Sequence, residues 1–149
     1  RLREPLYESS ASNRYATFFY GRYDATARRL NYVNAGHNPP LVFRAGGRDV
    51  IRLEACGPVI GLIQGCQWTE ACVSLRPGDL LVAFTDGISE AMNRDDEEWG
   101  EERLAETVRS LDSLPVEEMI GKIRESADRF VAGAPQHDDM TLVVLRLVQ

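Results

Sequence analysis

Leu80-Leu81-Val82-Ala83-Phe84-Thr85-Asp86-Gly87-Ile88-Ser89-Glu90-Ala91 decides how this 149-residue chain is built. Its first five residues are an unbroken apolar run with the length of a buried strand. A carboxylate and a glycine follow, and glycine lets the backbone turn tightly around the carboxylate. Before this stretch the chain reads as strands, and after it the apolar spacing becomes helical. Asp86 therefore stands at a strand end, where sheet proteins build their sites.

Working back towards the N-terminus, Arg76-Pro77-Gly78-Asp79 separates this run from a second β-type run, Trp68 to Leu75. Proline presets φ there and glycine completes the turn. Leu41-Val42-Phe43 and Val50-Ile51-Arg52-Leu53 flank Ala45-Gly46-Gly47-Arg48, which predicts a hairpin. Ala16 to Tyr23 and Leu30-Asn31-Tyr32-Val33 flank Asp24-Ala25-Thr26-Ala27, which predicts another.

Working forward, Leu104, Val108 and Leu111 recur at helical spacing. Val116 to Val131 is predicted as a second helix with Met119, Ile120, Ile123, Ala127 and Phe130 facing a sheet. Pro115 suits its first turn, Glu117 and Glu118 suit its positive end, and residues 133–136 break it. Thr141 to Val148 is β-branched and leucine-rich, the composition of a central strand. Hairpin-spaced strands, then helices, then one returning strand make an α+β order, read as a single domain over residues 1–149.

A net charge of −6 with no basic run argues against a nucleic-acid partner. Cys56, Cys66 and Cys72 are an odd number at spacings that fit no zinc set, and are read as reduced, structural thiols. No stretch approaches the roughly 18 apolar residues that cross a bilayer, and the first residues lack a signal-peptide pattern. The expected location is cytoplasmic, with no membrane partner for this segment.

Asp138 and Asp139 lie between the helix-breaking loop and the last strand, 52 residues beyond Asp86 (138 − 86). Aspartate clusters suit hard divalent cations such as Mg²⁺ or Mn²⁺, which keep waters that can become nucleophiles. On spacing alone the plainer reading is favoured: Asp86 opens a turn and caps residues 87–89, while Asp138 and Asp139 solubilise a loop. In Asn34-Ala35-Gly36-His37-Asn38-Pro39-Pro40, His37 sits between a strand and a double-proline turn, where a lone histidine is more often structural. Asp95-Asp96-Glu97-Glu98 lacks the alternating ligands of a calcium loop and reads as a solvated face.

Six blocks, in order, carry a resemblance: Tyr15-Ala16-Thr17-Phe18-Phe19-Tyr20-Gly21, residues 34–40, Gly57-Pro58-Val59-Ile60-Gly61-Leu62, Pro77-Gly78-Asp79, residues 85–91, and Asp138-Asp139-Met140-Thr141. Together they resemble the stage II sporulation protein E branch of the protein phosphatase 2C superfamily. The resemblance implies a four-layer fold, an antiparallel β-sandwich flanked by α-helices, with a metal site at one end. It implies hydrolysis of phosphoserine or phosphothreonine in a signalling protein by a metal-activated water, with an anti-sigma factor antagonist as the substrate class. Two Mn²⁺ or Mg²⁺ ions are implied for a complete domain, and no side chain acts as nucleophile.

Carried over by position, Asp86 and Asp138 match the family's metal ligands, with Gly87, Asn34, His37 and Asp139 adjacent to the site. Asp139 stands where relatives often carry asparagine, and His37 where many carry an aspartate that helps hold a third metal. The family's first metal motif is absent, residues 1–14 contain no aspartate, and the chain opens on Arg1. The N-terminal strands, that motif and an upstream sensor domain are therefore expected to precede this sequence. On its own the chain is expected to be inactive, to bind metal weakly or not at all, and to cover a bare sheet edge by association with another copy. The rival reading is a non-catalytic interaction module that keeps the phosphatase fold.

Overall fold

The computed structural model describes residues 15–46, 49–135 and 138–148. The chain forms two compact units, one from the residues up to Pro39 together with Arg52–Arg76, the other from Pro40–Ile51 together with the residues from Pro77 onward.

In the first unit, β1 (Phe18–Asp24), β2 (Arg29–Ala35) and β5 (Ala71–Ser74) make an antiparallel sheet in the order β1-β2-β5. The Asp24 carboxylate accepts the amides of Thr26 and Ala27, both at 2.9 Å, which closes the β1–β2 turn as its sequence predicts. Along β2 the alternate residues Leu30, Tyr32 and Asn34 are buried, and Tyr32 stacks on Phe19 of β1 with ring centroids 5.7 Å apart. Cys56, Cys66 and Cys72 are all free thiols.

In the second unit, β3 (Leu41–Phe43), β4 (Val50–Arg52), β6 (Leu80–Phe84) and β7 (Leu142–Arg146) form a sheet in the order β4-β3-β6-β7. The helices are α1 (Asp86–Ser89), α2 (Gly100–Ser110) and α3 (Val116–Val131). Leu41, Phe43, Leu80, Val82, Phe84 and Val144 bury one sheet face in a core with Trp99, Leu104, Val108, Met119, Ile123 and Ala127. The predicted β3–β4 hairpin is present, although part of its turn, Gly47 and Arg48, lies outside the described residues.

Pro77-Gly78-Asp79 turns the chain but makes no hairpin, because β5 and β6 belong to different sheets. Asp79 is almost fully buried, where it pairs with Arg44 at 2.5 Å and accepts the Ala45 amide at 3.0 Å. Its carbonyl accepts the Leu147 amide, and the Gly78 amide donates to the Leu147 carbonyl. This turn therefore ties the start of β6 to both the β3–β4 connection and the end of β7. Gly78 has φ +90°, a conformation that glycine adopts without penalty.

Two expectations need correction. Its composition predicts a central strand over Thr141–Val148, but among the described residues β7 lies at the edge of its sheet, with Val143 and Leu145 45% and 56% exposed. Composition reports a strand's affinity for apolar surroundings and does not say how many neighbours it has. In α3, Met119, Ile123 and Ala127 are buried and Phe130 packs against the core, but Ile120 is 36% exposed. Positions 119, 123 and 127 span a stripe about 80° wide, and Ile120 falls about 20° beyond its Ala127 edge. Ile123→Ala should accordingly cost about 2–5 kcal/mol in a denaturant melt, whereas Ile120→Ala should stay within about 0.5 kcal/mol.

Candidate metal centre

The β6–β7 ladder ends at the Phe84–Leu142 pair, and the next residue, Thr85, lies extended with φ −90° and ψ 162°. Its amide donates to the Thr141 carbonyl at 3.1 Å, which continues the ladder by one bond. Its own carbonyl accepts the Ile88 amide at 3.0 Å, which opens α1. Strand thus passes into helix without an intervening loop, and Asp86 is the first helical residue. Thr85, not Asp86, occupies the cap position, a difference from the capping role read for Asp86.

The Asp86 side chain is exposed and accepts the Gly87 amide at 3.0 Å through Oδ1. Asp138 is held in the same manner, its Oδ1 accepting the Asp139 amide at 2.7 Å. The two segments meet at Gly87: a Cβ built there would lie 2.5 Å from the Asp139 carbonyl oxygen and 3.0 Å from that of Asp138. The Thr85 hydroxyl donates to the Asp139 carbonyl at 2.9 Å and accepts the Thr141 amide at 2.9 Å. Beside them opens a cleft of about 280 Å³ lined by Gly87, Glu90, Met92, Val131, Asp138 and Met140, among others.

Two carboxylates, one at a helix start and one in the segment before β7, are hard oxygen donors, which suits part of the shell of Mg²⁺ or Mn²⁺. Among the described residues no three histidine, cysteine, aspartate or glutamate side chains converge as a metal set. The acidic run after Arg94 belongs to a local turn in which the Asn93 side chain accepts the amides of Asp95 and Glu97.

Asn34 and His37 belong to the first unit. Asn34 is fully buried, and its side chain donates to the His37 and Leu53 carbonyls, both at 3.0 Å, and accepts the His37 amide at 2.8 Å. The adjacent Gly36 has φ +70°, and a Cβ there would strike Val59 at 2.5 Å. His37 Nδ1 lies 3.3 Å from the Thr17 hydroxyl. Asn34 thus acts on the loop that carries His37. Asn34→Ala should cost about 3 kcal/mol in thermal unfolding, because it leaves buried backbone groups without partners. Sequence reading missed the cross-strand role of the Thr85 hydroxyl and the cleft walls supplied by Glu90 and Met140. The threonine between an apolar strand and Asp-Gly was the one available signal.

Two antiparallel sheets with helices, and an Asp-Gly turn braced against an Asp-Asp segment, define an α+β domain of the protein phosphatase 2C class. The chain belongs to the SpoIIE family, whose model, described as stage II sporulation protein E, matches residues 1–148. It is 30% identical over 131 residues to protein IcfG of Synechocystis sp., covering 88% of this chain and 20% of that protein. It is 29% identical over 147 residues to the phosphoserine phosphatase RsbU of Bacillus subtilis, covering 97% and 43%. The chain thus spans less than half of either relative's length. Among solved structures it is similar to the PP2C phosphatase domain of SpoIIE from Bacillus subtilis, with TM-score 0.69, 25% identity, and coverage of 88% of this chain and 37% of that one. A manganese-presoaked structure of that phosphatase domain matches with TM-score 0.64 and 24% identity, covering 90% and 57%. No helix among the described residues is long and apolar enough to cross a membrane.

Proposed function

We propose that this chain is part of a metal-dependent serine/threonine protein phosphatase domain, to which it contributes the Asp86 and Asp138 carboxylates. The observation that carries the reading is the contact of Gly87 with the Asp138–Asp139 carbonyls, which holds two carboxylate-bearing segments together at one end of the β6–β7 ladder. A divalent cation, Mn²⁺ or Mg²⁺, would supply an activated water and charge neutralisation on the phosphoryl group. Asp138 lines the cleft with Gly87, and Asp86, one residue before Gly87, would bring the second carboxylate to the same cation. Glu90, Met92 and Met140 form walls against which a phosphorylated segment of a signalling protein would lie. The relationship to a phosphoserine phosphatase of the Rsb type favours an anti-sigma factor antagonist as the substrate class. A regulatory or sensor segment elsewhere in the protein fits the same relationship.

Phosphate release from a phosphoserine protein, measured on the full-length protein with manganese and with a chelator, tests this. Release should require manganese and stop in chelator, and equal release in both would sink the reading. The 149-residue chain alone should show little turnover and weak manganese binding by calorimetry, since two carboxylates leave most of a cation's coordination to water. The second reading, a non-catalytic module, is favoured by the lack of a three-ligand set among the described residues. It predicts partner binding by the full-length protein without any manganese-dependent release.

A further inference from the structure

Thr85 occupies the helix cap position, where a threonine hydroxyl ordinarily accepts an amide of its own helix. Here it makes no capping bond. The reason lies in where its carbonyl goes. In a continuing antiparallel ladder the Thr85 carbonyl would accept the amide of Thr141. That carbonyl is instead engaged by the Ile88 amide, so the Thr141 amide loses its ladder partner. The hydroxyl replaces it, accepting the Thr141 amide and donating its proton to the Asp139 carbonyl, both at 2.9 Å. One side chain therefore lets β6 become helix at Asp86 while the segment carrying Asp138 and Asp139 stays fastened to it.

We infer that Thr85 is a positioning residue of the metal site, whose hydroxyl sets the Asp138 segment in place against Asp86; this rests on the metal-site reading above. It touches neither substrate nor cation and acts through the Asp139 carbonyl and the Thr141 amide, which follow a proposed ligand in the chain. The hydroxyl is required both as donor and as acceptor, which serine retains and valine, of nearly the same shape, lacks. Supporting groups around ligands of this kind are typically worth about 10–100-fold in metal affinity.

The test uses the full-length protein and its Thr85→Val and Thr85→Ser variants, read by manganese calorimetry and by hydrogen exchange of the Thr141 amide in metal-free protein. Thr85→Val should weaken manganese binding about tenfold or more and should markedly speed Thr141 exchange, because its acceptor is gone. Thr85→Ser should restore both. If Thr85→Val does not fold, Thr85→Ala gives the same comparison with less bulk. Unchanged affinity and exchange in the hydroxyl-free variant, or failure of serine to restore them, would overturn the positioning role alone. A wild-type protein that takes up no manganese would overturn the metal reading, and the positioning role with it.

Discussion

Gly87→Ala should destabilise the protein by about 3 kcal/mol and weaken metal binding, because one methyl group at that position has nowhere to go. Its Cβ would lie 2.5 Å from the Asp139 carbonyl oxygen and 2.9 Å from its carbon, and backbone atoms cannot swing aside as a side-chain tip can. Gly87 lies within a helical segment and shows no positive φ, so packing alone imposes glycine here. Relief comes only if the Asp138–Asp139 segment moves away, which separates the two proposed ligands. Gly121 provides an internal comparison. It sits in α3, where an added Cβ would meet nothing within 4 Å. Gly121→Ala should therefore stabilise by about 0.5–1 kcal/mol through helix propensity. Thermal melts of the two variants should shift in opposite directions, and parallel shifts would show that the close approach at Gly87 is unimportant.

Asp86→Asn in the full-length protein should lower manganese-dependent phosphate release at least about a hundredfold while leaving the fold intact. Asparagine keeps an oxygen that can accept the Gly87 amide, so the local turn survives and only the charge is lost. Asp95→Asn is the matched control. Asp95 is exposed in the Asn93 turn, and its loss of charge should leave release unchanged. A normal rate in Asp86→Asn, with melting unchanged, would remove Asp86 from the site.

Much of the fold was legible where local chemistry is decisive. The Asp24 turn, the glycine reversal after Phe43 and the apolar stripe of α3 each depend on neighbours in sequence, and each appears in the structure. What the sequence leaves open is all non-local. Pro77-Gly78-Asp79 serves equally in a hairpin or in a change of sheet, and only the partners of β5 and β6 distinguish the two. The apolar run of β7 reads alike with one neighbouring strand or two. Ile120 is as apolar as Ile123, yet lies just outside the stripe that the core covers.

The candidate site divides in the same way. A carboxylate and glycine at a strand end marked Asp86 and Gly87, the place before the last strand marked Asp138 and Asp139, and the family resemblance supplied the ligand role of Asp86 and Asp138. Nothing local showed that Gly87 would press on the carbonyls before β7, or that the Thr85 hydroxyl would cross to them. Asn34 drew notice for its neighbourhood with His37, but its amide is used on the loop backbone. The side chains of Asn34 and Thr85 both hold loop backbone that carries a candidate site residue.

The central claim is that Asp86 and Asp138 serve one cation. Manganese calorimetry of the full-length protein, of Asp86→Asn, of Asp138→Asn and of the double variant tests it as a double-mutant cycle. If the carboxylates share an ion, each single change should weaken binding strongly and the double change should cost clearly less than the sum of the two. Fully additive losses, or either single variant binding manganese as the wild type does, would contradict the account.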